Sequence, residues 1–211
     1  LPGDVLDESV EMAMGRPVRV VSSGRPADET LSKLAEMLLK SKKPAILARQ
    51  ELAEHDAFGE AGELAELLGA AVYSGSVPYC AQFPTGHAAY MGAFGRQQKQ
   101  VRSLLEPYDL LLCLGADLLR MSVYSPVEPL PETLPVVHVS ERSHELGKNY
   151  RTDLAVNANV RETLRALLPL LKKDLQGPHP RLADIKKSNW SAQRDKARLE
   201  AMLTAETSPI D

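Results

Sequence analysis

Short runs that are apolar at every position recur along this chain, with stretches of helical spacing between them. This alternation restricts the fold more than any other feature. The clearest run is Asp109-Leu110-Leu111-Leu112-Cys113-Leu114-Gly115. Ala45-Ile46-Leu47-Ala48, Ala71-Val72-Tyr73-Ser74, Pro135-Val136-Val137-His138-Val139 and the short Leu154-Ala155-Val156 are the others. A strand with no polar side belongs to a sheet covered on both faces, which is the habit of parallel sheets. Between the runs, Leu31, Leu34, Ala35, Leu38 and Leu39 follow Asp28 as a candidate N-cap, and Pro44 closes that helix. Ala61, Leu64, Ala65, Leu67 and Leu68 make a second helical face, stopped by Gly69, where a left-handed turn is expected. A third helix passes through Val101, Leu104 and Leu105 to Pro107, and a fourth spans 160–171 with Leu164, Leu167, Leu168 and Leu171 on one side. The pattern predicts a doubly wound, Rossmann-like α/β domain, a parallel sheet of about five to six strands with helices on both faces.

The flanks differ in character. Residues 1–27 carry Pro2, Gly3, Gly15, Pro17, Gly24 and Pro26 with one β-branched patch at Val18, Val20 and Val21, the composition of an extended linker. Residues 75–95 read as one long loop. From Pro178 the chain is polar, and Arg181 to Leu203 is expected to form a surface helix leading out of the domain towards Thr207-Ser208-Pro209-Ile210-Asp211. The domain is therefore assigned to 28–175, with 1–27 a linker from a preceding domain and 176–211 a helical linker to a following one. The start at Leu1, without an initiator Met, adds to the expectation of a piece of a longer protein.

Lys and Arg (25) nearly balance Asp and Glu (28), a net charge of -3, which gives no electrostatic reason to expect a nucleic-acid or anionic-membrane partner. No apolar run approaches the roughly 20 residues that cross a bilayer. Cys80 and Cys113 form neither a disulfide framework nor a spaced metal-ligand pattern, so a reducing cytoplasm is the expected setting. No Gly-x-Gly-x-x-Gly follows any strand, and no Walker loop, His-Glu-x-x-His or nucleophile elbow is present.

Ligands of doubly wound sheets sit beyond the carboxyl ends of the strands, which directs attention to three places. Ala48-Arg49-Gln50 ends the first strand. Gly115-Ala116-Asp117 follows the strongest one, where glycine permits close approach and the carboxylate meets a ribose, or instead caps the next turn. Ser140-Glu141-Arg142 occupies the equivalent place one strand later, with Glu141 suited to ribose hydroxyls and Ser140 equally suited to capping. Phe83-Pro84-Thr85-Gly86-His87 stands out in the long loop, although a histidine there serves a tight turn as readily as a site. His138 reads as a satisfied strand side chain, and His55, His144 and His179 as solvent-facing.

The order of these segments resembles the central domain of thiamine-diphosphate-dependent enzymes such as acetolactate synthase and benzoylformate decarboxylase. The resemblance rests on 45–48, 83–87, 108–117, 136–140 and Gly147-Lys148-Asn149-Tyr150, and covers about 4–171. It implies that the cofactor-activating Glu and the magnesium–diphosphate site lie in two other domains, and that this chain alone binds neither thiamine diphosphate nor Mg2+ and is inactive. It also implies a parent homodimer or homotetramer that processes 2-keto acids. Within the family, Arg120, Ser122 and His87 are the positions implied to face the substrate pocket. Benzoylformate decarboxylase carries a proton-transferring His at the position of Ser122, and a hydroxyl does not titrate near neutral pH. That step therefore does not carry over. Members that bind FAD or ADP in this domain favour glycines after the first strand and Asp-x-Asp after the fourth. Here only Arg49, Gly115, Asp117, Ser140, Glu141 and Arg142 remain as nucleotide candidates. The alternative is a stand-alone module of this topology binding FAD, ADP or NAD.

Overall fold

A computed structural model describes residues 9, 11, 15, 16 and 24–207, with side chains to Met202. Val18, Val20 and Val21, most of the expected leading linker, and 208–211 lie outside the described residues. In chain order the elements are α1 (Asp28–Lys40), β1 (Pro44–Ala48), α2 (Glu51–Glu54), α3 (Phe58–Leu68), β2 (Ala71–Ser74), β3 (Tyr90–Ala93), α4 (Gln98–Leu105), β4 (Leu110–Leu114), β5 (Val136–Ser140), β6 (Leu154–Asn157), α5 (Val160–Leu171), α6 (Arg181–Lys187) and α7 (Trp190–Thr207). A single 3-10 turn, Ser143–Glu145, follows β5.

The sheet is six-stranded in the order β3-β2-β1-β4-β5-β6. Every pairing is parallel, with Ile46 opposite Val72 on one side and Leu112 on the other. Alternate residues of each strand face opposite layers. Ile46, Ala48, Val72, Leu112, Leu114, Val137 and Val139 pack with α1, α3 and α5. Ala45, Leu47, Tyr73, Leu111, Cys113 and Val136 pack instead with Val101 and Leu105 of α4 and with Leu118, Leu119 and Leu134. Each fully buried Leu, Ile or Val contributes about 1.5–3 kcal/mol. Strand order reverses between β1 and β4, so the crevice beyond their carboxyl ends is the topological switch point.

Local chemistry sets the boundaries. Gly69 closes α3 in the left-handed region (φ 55, ψ 44). Asn159 caps α5, its side chain accepting from the Glu162 amide at 3.1 Å. Asp28 is not a cap. Ala27 holds that position without a side-chain bond, and the Asp28 carboxylate pairs with Arg25.

Two other expectations are corrected. The stretch 75–95 is not all loop, because it contains the edge strand β3. Nor is 181–203 one helix leading away. It breaks at Ser188–Asn189, where the Asn189 side chain accepts from the Ala192 amide (3.0 Å) and donates to the Ala88 carbonyl (3.1 Å). Arg181 donates to the carbonyls of Leu68 (2.7 Å) and Gly69 (2.9 Å), docking α6 on the end of α3. Trp190 then lies edge-on to Tyr90 and over Gly92.

Candidate functional site

Beyond the carboxyl ends of β1, β4 and β5 the chain buries a set of charged groups. Immediately after β1 the chain turns inward at Arg49 and enters α2, whose first residue is Glu51, and both side chains are 1% exposed. After β4, Gly115 and Ala116 both take positive φ (91 and 50). A Cβ on Gly115 would lie 2.5 Å from the Glu51 Cβ, so glycine is required for Glu51 to approach. β5 delivers Ser140, Glu141 and Arg142 to the same place.

Arg49 Nη2 donates to Asp117 Oδ1 at 2.7 Å, and the other Asp117 oxygen pairs with Arg120 Nε. Burial by itself raises the Asp117 pKa, but the two guanidiniums outweigh it and hold the carboxyl below the usual carboxylate range. Arg120 also donates to the Tyr79 hydroxyl and lies 4.9 Å from that ring centroid. Glu51 Oε1 accepts from the Ala116 amide (3.1 Å) and Ser140 Oγ (2.7 Å), and Oε2 from the Glu141 amide (3.0 Å). Arg142 Nε approaches Glu51 at 3.5 Å while its Nη2 donates to both Glu54 oxygens at 2.9 and 3.0 Å. Glu141 in turn accepts from Asn159 (3.0 Å) and pairs with His55 Nε2 (3.0 Å), whose Nδ1 accepts from the Val160 amide.

His138, wholly buried, donates from Nε2 to the Ala116 carbonyl at 2.5 Å. Burial pushes its imidazole pKa down, so it is neutral. Among the described residues its Nδ1 has no partner, so the expectation of a satisfied side chain holds for one ring nitrogen only, and the buried donors Arg49 Nε and Gln82 Nε2 likewise have none there. The cavity beside His138 is about 10 Å³, room for at most one water. Among the described residues, no group of three or more His, Cys, Asp and Glu is placed to hold a metal ion. Carboxylates answered by guanidiniums and amides in this way fix loop geometry.

Arg49, Gly115, Asp117, Ser140, Glu141 and Arg142 thus converge at one sheet edge, and Arg120 joins them through Asp117. Ser122, two residues further along, is exposed, and its amide donates to the Arg96 carbonyl at 3.1 Å. His87 is elsewhere. The Ala89 carbonyl accepts from the Val72 amide, so the loop has already returned to the amino end of β2, opposite the charged cluster. There His87 accepts from the Ala89 amide at 3.2 Å and faces Glu66 at 3.4 Å above Gly62. His144 is exposed as expected, whereas His55 and His179 are half-buried. Cys80 is exposed, and burial pushes the Cys113 thiol up. Sequence reasoning missed Glu51, Gly75, Gln82 and His55. For Glu51 the one available signal is a lone carboxylate three residues past a strand end that lacks a phosphate loop.

Residues 31–167 match the family described as "Thiamine pyrophosphate enzyme, central domain". Benzoylformate decarboxylase of Pseudomonas aeruginosa is 29% identical over 150 residues, 71% of this chain and 28% of the relative. Sulfoacetaldehyde acetyltransferase of Alcaligenes xylosoxydans xylosoxydans is 27% identical over 167 residues, 76% of this chain and 27% of the relative. The solved thiamine diphosphate-dependent 4-hydroxybenzoylformate decarboxylase of Rhodococcus jostii superposes with a TM-score of 0.67 at 26% identity, over 78% of this chain and 30% of that one. The chain spans less than a third of the length of each of these relatives. With the parallel sheet and its switch point described above, these matches place the chain in the family of central domains of thiamine pyrophosphate enzymes.

Proposed function

We propose that this chain is the central, mainly structural domain of a thiamine-diphosphate-dependent decarboxylase or acetolactate synthase-like carboligase acting on 2-keto acids, and that it turns over nothing alone. One observation supports the structural role above all. The switch-point crevice, the usual ligand position of this topology, is filled by the side chains of Arg49 and Glu51 and closed by their own partners. The described residues of this chain do not fit thiamine diphosphate with Mg2+. The described part has no metal-ligand cluster, and its buried carboxylates are committed to protein donors. In the bound enzyme that cofactor supplies the carbanion-stabilising chemistry, and protein groups orient it. What this chain offers is a sheet whose loops after β2 and β4 present Tyr79, Arg120 and Ser122.

The partners proposed are the N- and C-terminal domains of the parent polypeptide and a second subunit, in a cytoplasmic enzyme. No helix among the described residues is long and apolar enough to cross a membrane. The rival reading, a stand-alone FAD, ADP or NAD module, is weakened by the missing glycine loop and by the occupied crevice. Calorimetric titration of the isolated chain with thiamine diphosphate and Mg2+, beside an assay for decarboxylation of pyruvate and benzoylformate, tests the proposal. No binding and no turnover are expected, and tight binding or turnover by the chain alone would overturn it.

A further inference from the structure

We propose that the carboxyl ends of β4 and β5 form an anion-binding nest whose resident anion is this chain's own Glu51 carboxylate. Four groups converge on Glu51, and all are donors. They are the Ala116 amide (3.1 Å), the Glu141 amide (3.0 Å), Ser140 Oγ (2.7 Å) and the Arg142 guanidinium (3.5 Å). Ser140 Oγ already accepts from the Arg142 amide at 3.0 Å, which directs its own proton at Glu51. A place built only of donors accepts an acceptor-only group, and an ionised carboxylate or a phosphate oxygen is such a group. The positive φ values at Gly115 and Ala116 mark a tight turn beyond β4 that sets the Ala116 amide against Glu51 Oε1.

Glu51 begins α2, directly after β1, so a short and rigid connection holds its carboxylate in place. A tethered group of this kind outcompetes free anions at ordinary concentrations. The nest is therefore occupied from within, and a small external oxyanion reaches it only when Glu51 is removed. Arg142 reaches the surface, 38% exposed at its side chain. The inference goes beyond the proposed function and holds whether or not the parent uses thiamine, because its test reads neither turnover nor thiamine binding.

The test uses the full chain with Glu51→Ala and Glu51→Gln, and compares acetate with its neutral isostere acetamide. Glu51→Ala strands the donors, and its thermal midpoint should fall on the order of 10 °C. Acetate should recover several degrees of that loss saturably, acetamide should recover none, and wild type and Glu51→Gln should respond to neither. A folded Glu51→Ala chain indifferent to acetate, or a wild-type chain raised by it, overturns the proposal. If Glu51→Ala does not fold, calorimetry of the wild-type chain with inorganic phosphate and ADP decides. Saturable uptake of either would show an open nest and overturn the inference, and none sustains it.

Discussion

Replacing Gly75 with alanine tests whether the buried ion pair at the switch point is as tightly confined as its geometry implies. Gly75 is buried at the end of β2, and its amide donates to Gln82 Oε1 at 2.6 Å. A Cβ there would lie 1.1 Å from Arg49 Nη1 and 2.4 Å from Cζ. The far end of an arginine normally swings aside at little cost. Arg49 cannot, because it is 1% exposed and bound to Asp117 at 2.7 Å. Moving the guanidinium leaves Asp117 with Arg120 alone and strands a buried charge, at a cost of about 3–5 kcal/mol. Gly75 lies outside the left-handed region, so alanine returns about 0.4–1 kcal/mol through the unfolded chain. The net loss should be about 2–4 kcal/mol, read from urea unfolding followed by circular dichroism. Arg49→Ala alone should cost a similar amount, and the double variant no more than Arg49→Ala, because the new methyl enters the vacated space. That corresponds to a coupling of about 2–4 kcal/mol in magnitude, the Gly75→Ala loss that the double variant no longer shows. A Gly75→Ala loss under about 1 kcal/mol, or additive single losses, would refute the confinement argument.

Three further outcomes are expected. The depressed Asp117 carboxyl adds stability that is full above its unfolded pKa of about 4 and is lost as pH falls through its lower folded value. Asp117→Asn should accordingly be weaker than wild type at pH 7 and converge on it in acid, and parallel unfolding curves at all pH values would count against this. Buried neutral His138 gives stability that is full above about pH 6.5 and declines as pH falls from there towards its lower folded pKa. His138→Gln should flatten that slope, measured as urea midpoints at two pH values. Asn159→Ala should cost about 1–2 kcal/mol through loss of the α5 cap, and an unchanged unfolding midpoint would show the cap to be idle.

Much of this architecture was legible because the inner strands are buried on both sides. Five consecutive apolar residues at Leu110–Leu114 have no other economical reading. β3 left no such trace. It is a four-residue edge strand with Gly92 at φ 113 and a register shift opposite Val72 and Tyr73, so neither run length nor alternation marks it. The break between α6 and α7 was hidden for a related reason, since Asn189 acts through Ala88, about a hundred positions away along the chain. At the site, Arg49, Asp117, Ser140 and Arg142 were each read at a strand end, and the fold brings those ends into one neighbourhood. What sequence could not supply was direction. A glutamate after a strand normally turns to solvent, and only the backbone of Gly115 and Ala116 explains why Glu51 turns inward. The placement of His87 depended on β3, and once that strand was overlooked, its loop could not be assigned to the opposite edge.

The docking of Trp190 over Gly92 bears on how this sheet avoids self-association. An outermost strand offers unmatched amide and carbonyl groups to any second sheet, and proteins blunt such borders by keeping them short, kinked or roofed. β3 has all three defences, in its four residues, its irregular pairing and the indole laid across it. Truncation before Asn189 would lift that roof while sparing the core, and the shortened molecule should stay folded yet gather into β-rich aggregates.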